Sequence, residues 1–326
     1  MRDQPLLKAE ITSKPMDLGL SRLKLFLALS RTPHGLLDLA APALAALLWL
    51  GSFPPLGVIA LGLLTVFAGY TAVYALNDVV DYRTDREKLR LERGAKTGPY
   101  LDAVFVRHPL AAGEVSFRAG LFWTAAWSLV ALLGAFWLNP TCALIFLLGC
   151  GLEAVYCLLL KVSHLRLLVA GVVKSLGALA AVFAVDPSPS PVFLAVLFLW
   201  LFFWELGGQN IPADWHDVEP DRRLDAKTIP VVLGLRKAGI LALASLAGSL
   251  ALSLVILRLT PIPFPFSQQV LILGLGVYLL LLPAWRLFRS QNQAAALFNC
   301  ASCYPLAVLT VVLVNLLARA VLPVWW

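Results

Sequence analysis

The sequence predicts an all-α membrane protein with nine transmembrane helices, and three observations support this fold class. Of the 326 residues, 60% are hydrophobic and 14% are charged, whereas soluble domains are about 45–50% apolar and about a quarter charged. The mean hydropathy of +0.82 is correspondingly high. Long apolar runs recur along the chain, and basic residues are concentrated in alternate connections between them. These features exclude an ordinary soluble domain.

The first 35 residues are predicted to form a cytoplasmic segment rather than a signal peptide. They are charged throughout, and no apolar run begins before about Leu36. Leu20, Leu23 and Leu27 alternate with basic residues at roughly helical spacing. Residues 20–30 are therefore predicted to form a helix on the membrane surface. No linker interrupts the rest of the chain, so residues 36–326 are predicted to form a single transmembrane domain.

Nine apolar runs are candidates for membrane spans, because a span needs about 20 predominantly apolar residues. The runs are 36–51, 57–76, 119–138, 141–160, 166–185, 191–208, 238–257, 269–285 and 301–318. The second and the sixth lead directly into acidic segments. Long polar connections alternate with short apolar ones, which predicts two unequal faces of the membrane.

The distribution of lysine and arginine predicts the orientation of the chain in the cell membrane. Of the 26 basic residues, only Arg258 and Arg319 fall on the side opposite the N-terminus, and Lys174 lies within a span. The N-terminus is therefore predicted to be cytoplasmic, and nine spans place the C-terminus, with Trp325 and Trp326, outside. The net charge of +7 then reflects membrane topology, and we expect the lipid bilayer rather than nucleic acid as a partner.

An acidic motif, Asn77-Asp78-Val79-Val80-Asp81-Tyr82-Arg83-Thr84-Asp85, ends the second span. Its aspartates are spaced three and then four residues apart, which places all of them on one face of a helix. Asp214, Asp217 and Asp221 repeat this spacing after the sixth span, with Asn210 one turn earlier. The two motifs are four spans apart, so they are predicted to share the cytoplasmic side as a parallel repeat.

Six carboxylates at two helix ends predict a metal site. Clustered carboxylates repel one another and resist desolvation, and hard divalent cations relieve both costs. Mg²⁺ in particular is bound through one or two carboxylates, water and substrate phosphate oxygens. Two facing motifs could hold two or three Mg²⁺ ions around a diphosphate, neutralise the charge that builds on it as it leaves, and leave its other oxygens to nearby arginine and lysine.

The paired motifs and the nine spans resemble the UbiA superfamily of intramembrane prenyltransferases. Three other segments are also similar to that family: Arg31-Thr32-Pro33 before the first span, Tyr156 with Lys161 closing the fourth, and Lys227-Thr228-Ile229-Pro230-Val231-Val232-Leu233-Gly234 after the second motif. The resemblance covers nearly the whole chain. It implies a UbiA-like helical bundle that transfers a polyprenyl group from its diphosphate to an acceptor, usually aromatic, with Mg²⁺.

The resemblance also implies roles for individual residues. The residues expected to bind Mg²⁺ and diphosphate, and so to be catalytic, are Asp78, Asp81, Asp85, Asp214, Asp217 and Asp221. The residues expected to contact substrate are Asn77, Asn210, Arg31, Lys88, Tyr156 and Lys161. Members of the family usually carry Arg-Pro-Leu soon after the first motif, whereas this chain has His108-Pro109-Leu110. A diphosphate contact there would come from Arg107 or be absent.

Two functions of other classes remain as alternatives. A cation-coupled transporter would place its sites at mid-membrane on broken helices, usually in inverted repeats, and the parallel repeat disfavours it. A non-catalytic membrane scaffold would not need intact metal ligands in both motifs. Within the family, the acceptor could be a hydroxybenzoate, another quinone precursor or a non-aromatic compound.

Three polar residues in or near the spans have open interpretations. Lys174 lies in the middle of the fifth span, where a charge costs at least about 2.5 kcal/mol. It is expected either to face a cavity or to pair with Glu153, Glu205 or a backbone carbonyl. Glu205 could support the residues that bind the substrate or reach towards the interface, and His34 is expected to be interfacial.

Overall fold

The computed structural model describes residues 18–91, 105–290 and 292–321, and the fold and the site are described for those residues. Within them, nine helices are long and apolar enough to cross a membrane. These spans are Thr32–Leu50, Leu56–Val80, Phe117–Leu138, Pro140–Leu158, Arg166–Val185, Pro191–His216, Leu235–Leu259, Phe266–Ser290 and Ala294–Val321. They overlap the nine predicted runs one for one, which confirms the all-α membrane fold. The last begins at Ala294 rather than at residue 301, because three successive alanines there favour helix.

The described chain contains seventeen α-helical segments and two π-helical turns. In chain order they are α1 (Leu18–Leu29), α2 (Thr32–Asp38), α3 (Ala40–Leu50), α4 (Leu56–Val80), α5 (Tyr82–Leu91), α6 (Pro109–Ala112), α7 (Phe117–Leu138), α8 (Pro140–Leu158), α9 (Arg166–Val185), α10 (Pro191–Glu205), α11 (Ile211–His216), α12 (Val218–Arg223), α13 (Ile229–Leu233), α14 (Leu235–Leu259), α15 (Phe266–Gly276), α16 (Leu282–Ser290) and α17 (Ala294–Val321). Two π-helical turns, Leu206–Asn210 and Val277–Leu281, join α10 to α11 and α15 to α16.

The bundle is built from helices that pack side by side along their length. Helix α4 packs along α7, α8 along α9, and α10 between α9 and α14, while α17 packs on α3. Glycine permits the closest approaches: a Cβ atom on Gly134 would lie 2.2 Å from Thr65 Oγ1. Large apolar side chains also lie on the outside of the bundle: Trp137 is 81% exposed and Leu56 is 80% exposed. Such a surface is expected where helices face lipid.

Helix α1 occupies the segment predicted to lie on the membrane surface. It spans Leu18–Leu29, close to the predicted 20–30. Leu29 is fully buried against Leu110 and Val115, and Trp123 donates a hydrogen bond to Ser30 Oγ at 2.9 Å. The C-terminal end of α1 is therefore anchored to the bundle. Its placement in the membrane interface stays a prediction, and so does that of Trp325 and Trp326, which lie outside the described residues.

Candidate active site

The first aspartate motif lies where an apolar helix meets a charged one. Asp78 is in the last turn of α4, Asp81 lies between α4 and α5, and Asp85 is in α5. The backbone N–H of Asp85 donates to the Asp81 carbonyl at 2.8 Å, so helical spacing continues across the junction. The sequence predicted one unbroken helical face. The structure instead divides the motif between two helices at the point where the composition changes from apolar to charged.

The second motif repeats this construction. Asp214 is in α11, Asp217 lies between α11 and α12, and Asp221 is in α12. The N–H of Asp221 donates to the Asp217 carbonyl at 2.8 Å. Pro220 has no N–H with which to continue the ladder, so its position in the first turn of α12 accounts for the break. Both motifs therefore break at the middle aspartate.

A cavity of about 600 Å³ joins the two motifs. It follows α4 from Val58 to Asp78, and a rise of 1.5 Å per residue makes this path roughly 30 Å long. All six motif aspartates line its polar end. Away from the motifs the lining is mainly apolar, with Ile145 and Phe146 of α8 among the residues on that side. The cavity is thus polar at one end and suited to a long apolar chain along the rest of its length.

The first motif brings two carboxylates and an imidazole together. One ligand atom from each of Asp78, Asp85 and His108 lies within 4.8 Å of the others. His108 Nδ1 is 2.9 Å from Asp85 Oδ2 and 3.3 Å from Asp78 Oδ1. Burial disfavours the charged imidazole, but the carboxylates of Asp85 and Asp78 outweigh burial and raise the pKa of His108 to about 9. His108 thus stands where the resembling family carries arginine.

Arg31 approaches the same motif from the turn before α2. Its Nη2 atom donates to Asn77 Oδ1 at 3.0 Å and lies 3.5 Å from Asp78 Oδ1. Arg31 has a φ of 45° and His108 a φ of 49°, so both residues adopt the left-handed conformation. Both side chains therefore reach Asp78 from a backbone geometry that non-glycine residues rarely adopt.

The two predicted asparagines hold neighbouring side chains in place. Asn77 Nδ2 donates to Glu153 Oε1 at 2.7 Å and to Cys157 Sγ at 3.3 Å. Asn210 Nδ2 donates to the Tyr156 hydroxyl at 3.0 Å. Asn210 Oδ1 is buried and has no hydrogen-bond partner among the described residues. The predicted substrate contact Tyr156 therefore lies at the site, fixed by the residue that precedes the second motif.

The carboxylates of the second motif are held by cations. Lys88 Nζ is 2.6 Å from Asp217 Oδ2 and 3.0 Å from Asp221 Oδ1. Arg107 contacts both oxygens of Asp217, at 2.5 and 3.3 Å. Burial alone would raise the pKa of the Asp217 carboxyl, but Arg107 and Lys88 hold it well below its usual range. Arg166 lies 3.8 Å from Asp214 and 3.9 Å from the centre of the Tyr156 ring.

Lys161 is the one predicted substrate contact that the structure does not bring to the cavity. Its Nζ atom pairs with Glu87 Oε2 at 2.9 Å, and the two side chains are 43% and 55% exposed. Arg107, the other possible diphosphate contact, does reach the second motif. The sequence pattern at the end of the fourth span could not show which way the lysine side chain turns.

A buried polar cluster that includes Lys174, Asp38 and His34 lies deeper in the bundle and was predicted only in part. Lys174 does face the cavity, and it pairs with Asp38 at 2.6 Å, a partner that was not predicted. Tyr74 also donates a hydrogen bond to Asp38. The interfacial placement expected for His34 is wrong, because His34 is 2% exposed and packs with Nε2 3.5 Å from Asp38. The spacing of four residues between His34 and Asp38 could have predicted that the two side chains interact on one face of a helix.

The composition of the cavity lining fits the binding of metal cations. Among the described residues, eight carboxylates and five lysine or arginine side chains line it. Burial, followed by the Asp85 charge, raises the pKa of Asp81, and the charges of Arg166 and His108 offset this rise only in part. Carboxylate oxygens are the ligands that Mg²⁺ prefers, so the first motif could hold one such ion and the second motif another.

Comparison with known proteins agrees with this geometry. Residues 39–302 match the model of the UbiA prenyltransferase family. No curated protein matches the chain in a sequence comparison. A solved apo structure of a UbiA homolog from Aeropyrum pernix K1 is similar, with a TM-score of 0.71 and 21% identity over 86% of this chain and 98% of that one.

Two further solved structures share the fold. One comes from work on digeranylgeranylglyceryl phosphate synthase in membranes, with a TM-score of 0.64 and 16% identity over 91% of this chain and 99% of that one. The other is a UbiA homolog from Archaeoglobus fulgidus bound to GPP and Mg²⁺, with a TM-score of 0.62 and 19% identity over 88% and 99% of the two chains. At these identities the likeness is one of fold.

Proposed function

This chain belongs to the UbiA prenyltransferase family, and on that premise we propose that it transfers a polyprenyl group from a prenyl diphosphate to an aromatic acceptor within the membrane, with Mg²⁺. One observation carries the proposal. Two aspartate motifs of identical spacing line the polar end of one cavity, which follows α4 for roughly 30 Å and is mainly apolar beyond the motifs. This arrangement suits a ligand with a strongly anionic head and a long hydrocarbon tail.

The diphosphate is proposed to lie between the two motifs. Arg31 is already directed at the first motif, and Lys88 and Arg107 at the second. These cations can donate to diphosphate oxygens, and arginine can do so in a bidentate manner. Bound Mg²⁺, held by Asp78, Asp81 and Asp85 and by Asp214, Asp217 and Asp221, would neutralise the charge that develops on the departing diphosphate. The homolog bound to GPP and Mg²⁺ supports this assignment.

The apolar part of the cavity is proposed to hold the prenyl tail and to exclude water. When the bond between the allylic carbon and the diphosphate oxygen breaks, water would capture the resulting cation. A lining of side chains such as Val66, Val73 and Phe146 keeps the reacting carbon away from water until the acceptor attacks. Tyr70 and Tyr74, with ring centres 6.3 Å apart, provide an aromatic surface against which an acceptor ring can pack.

Metal dependence tests this function directly. The purified protein in detergent is incubated with labelled geranyl diphosphate and a panel of aromatic acceptors. We expect product formation to disappear with a chelator and to return when Mg²⁺ is added, because the carboxylates cannot bind a diphosphate without a bridging cation. Release of diphosphate at the same rate with and without Mg²⁺ would contradict the mechanism. Coupled ion uptake without prenyl transfer would instead indicate a transporter.

We also propose that both motifs face the cytoplasm of a cell-membrane protein. The charge asymmetry of the connections supports this orientation. A reporter fused after Trp326 should lie outside the cytoplasm. A reporter inserted near Lys96 should lie inside it. Finding both reporters on the same side would rule out the proposed topology.

A further inference from the structure

A polar cluster lies deeper in the cavity than the diphosphate site and has no role in the proposed binding of the donor. It comprises Lys174 of α9 and Glu205 of α10, both on the cavity wall, with Asp38 behind Lys174. Lys174 is eight residues along α9 from Arg166, which corresponds to about 12 Å. Charged groups at such a depth are costly, so they are retained for a function or are fully paired.

The basic member of this cluster is already neutralised. Lys174 Nζ lies 2.6 Å from Asp38 Oδ2 and donates to the Tyr74 hydroxyl at 3.1 Å. The other lysine and arginine residues of the cavity wall lie at the motif end, each beside a motif aspartate. The described cavity wall therefore offers no uncommitted cation to an acceptor that carries a carboxylate.

Glu205 differs from Lys174 in that one of its side-chain oxygens lacks a partner among the described residues. Glu205 is 8% exposed and lines the cavity. Its Oε2 atom is buried and has no hydrogen-bond donor among the described residues. A buried carboxylate oxygen without a donor is strongly unfavourable. Because the carboxyl group lies on the cavity wall, a small turn of the side chain would bring this oxygen to a donor in the cavity, and a hydroxyl group would meet that need.

We propose that Glu205 selects the acceptor by accepting a hydrogen bond from its hydroxyl group, so that the substrate is a neutral phenol or quinol and not a carboxylate-bearing aromatic. This inference rests on the proposed prenyl transfer and narrows its acceptor. The geometry divides the cavity between the two substrates. The tail packs on the aliphatic side chains of α4 and α8. The acceptor packs between the Tyr70 and Tyr74 rings of α4 on one side and α9 and α10 on the other, where Glu205 excludes like charge.

A matched pair of probes tests the proposal. Hydroquinone and 4-hydroxybenzoate share a phenol ring and differ in whether the second substituent is a hydroxyl or a carboxylate. Their binding to the full-length protein is measured by ligand-detected NMR titration at pH 8.5, under anaerobic conditions. We expect hydroquinone to bind at least about tenfold more tightly, because like charges placed together in a site are strongly unfavourable. Equal binding, or tighter binding of 4-hydroxybenzoate, would overturn the proposal.

Substitution of Glu205 identifies the group responsible. Glu205→Gln removes the charge with little change of shape and should bring the preference to within about twofold. Asp186→Asn is the matched control, because Asp186 pairs with Trp49 at 3.0 Å and does not line the cavity. It should leave the preference intact. A preference that survives Glu205→Gln would refute the assignment.

Two measurements keep failure of this inference apart from failure of the proposed function. Binding of geranyl diphosphate with Mg²⁺ is measured in parallel: its absence from the wild type would refute the proposed function and, with it, the inference. Retained donor binding with a preference for 4-hydroxybenzoate would refute the inference alone. If Glu205→Gln fails to fold, Glu205→Asp serves instead. Aspartate keeps the negative charge, but its carboxylate lies one methylene group further from the ligand. The variant should therefore bind hydroquinone more weakly and still exclude 4-hydroxybenzoate.

Discussion

The first and the second aspartate motif differ in what holds their carboxylates, although their spacing is identical and both break at the middle aspartate. In the first motif, Asp78 and Asp85 converge with His108, with ligand atoms within 4.8 Å of one another. In the second, Lys88 and Arg107 lie directly on Asp217. Equal spacing in the sequence therefore does not produce equal electrostatic surroundings.

This difference indicates separate tasks for the two motifs. The first presents clustered ligands that a cation can bridge. The second is compensated by two cations from the connection that follows the first motif, Lys88 at its start and Arg107 near its end. When a donor binds, these two side chains can exchange a carboxylate partner for a diphosphate oxygen, because both are acceptors of the same charge. The second motif would then become available to a metal ion at the moment the donor arrives.

The largest effects are expected at the third aspartate of each motif. Asp85→Asn and Asp221→Asn should each lower prenyl transfer by at least about 100-fold, since each removes a charged ligand for the metals that stabilise the departing diphosphate. The double variant should lose much less than the product of the two effects, because the motifs act on one diphosphate as a unit. Transfer of labelled geranyl diphosphate measures both.

Metal binding to the donor-free protein should distinguish the Asp85 variant from the Asp221 variant. Mn²⁺ titration followed by electron paramagnetic resonance should show a clear loss of affinity in Asp85→Asn and little change in Asp221→Asn. Both aspartates have a cationic partner, but the metal can displace the proton of His108 at Asp85 more easily than that of Lys88 at Asp221. Equal losses in the two variants would show that the motifs do not differ in the way described.

An intermediate effect is expected when the cations of the second motif are neutralised together. In the Lys88→Gln and Arg107→Gln double variant, KM for prenyl diphosphate should rise by about tenfold or more, because charge-assisted hydrogen bonds are worth about 1.5–3 kcal/mol each. The affinity of the donor-free protein for Mn²⁺ should increase, since Asp217 loses its partners. An unchanged KM with a lower kcat would show that these residues do not contribute to ground-state binding.

The smallest effect is expected at Lys161. Lys161→Gln should change KM by less than about twofold, because an exposed ion pair contributes little and its partner Glu87 is also exposed. The variant is a matched control for Lys88, since both remove one lysine charge near the same face. A tenfold rise in KM here would restore Lys161 as a phosphate contact and would mean that the connection rearranges when the donor binds.

The spans and the motifs could be predicted because each depends on local pattern. Hydropathy alone marks nine segments, and three- and four-residue spacing alone marks Asp78, Asp81 and Asp85 as neighbours. The break of the helix at the middle aspartate of each motif could not be predicted. At Asp217 the break depends on whether Pro220 ends the preceding helix or lies in the first turn of a new one. A proline in the first turn can begin a new helix as readily as it ends an old one.

The partners of the buried charges could not be read from the sequence. Lys174 pairs with Asp38, which is 136 positions away, whereas Glu153 and Glu205 were the acidic residues considered. A charge in a span restricts the type of its partner but not its identity, because the choice depends on which helices pack together. His108 was missed as a partner of the first motif for the same reason: only the folded connection brings it onto Asp78 and Asp85.

The left-handed backbone at Arg31 and His108 has a consequence for the evolution and engineering of this protein. Glycine or asparagine would adopt these φ angles at lower cost than arginine or histidine, which lose roughly 1–2 kcal/mol each there. Selection for thermostability alone would therefore replace both residues. Their presence on the two sides of Asp78 marks a compromise between robustness and activity. Consensus stabilisation of this scaffold should consequently leave these two positions untouched, however favourable a glycine would be for the fold.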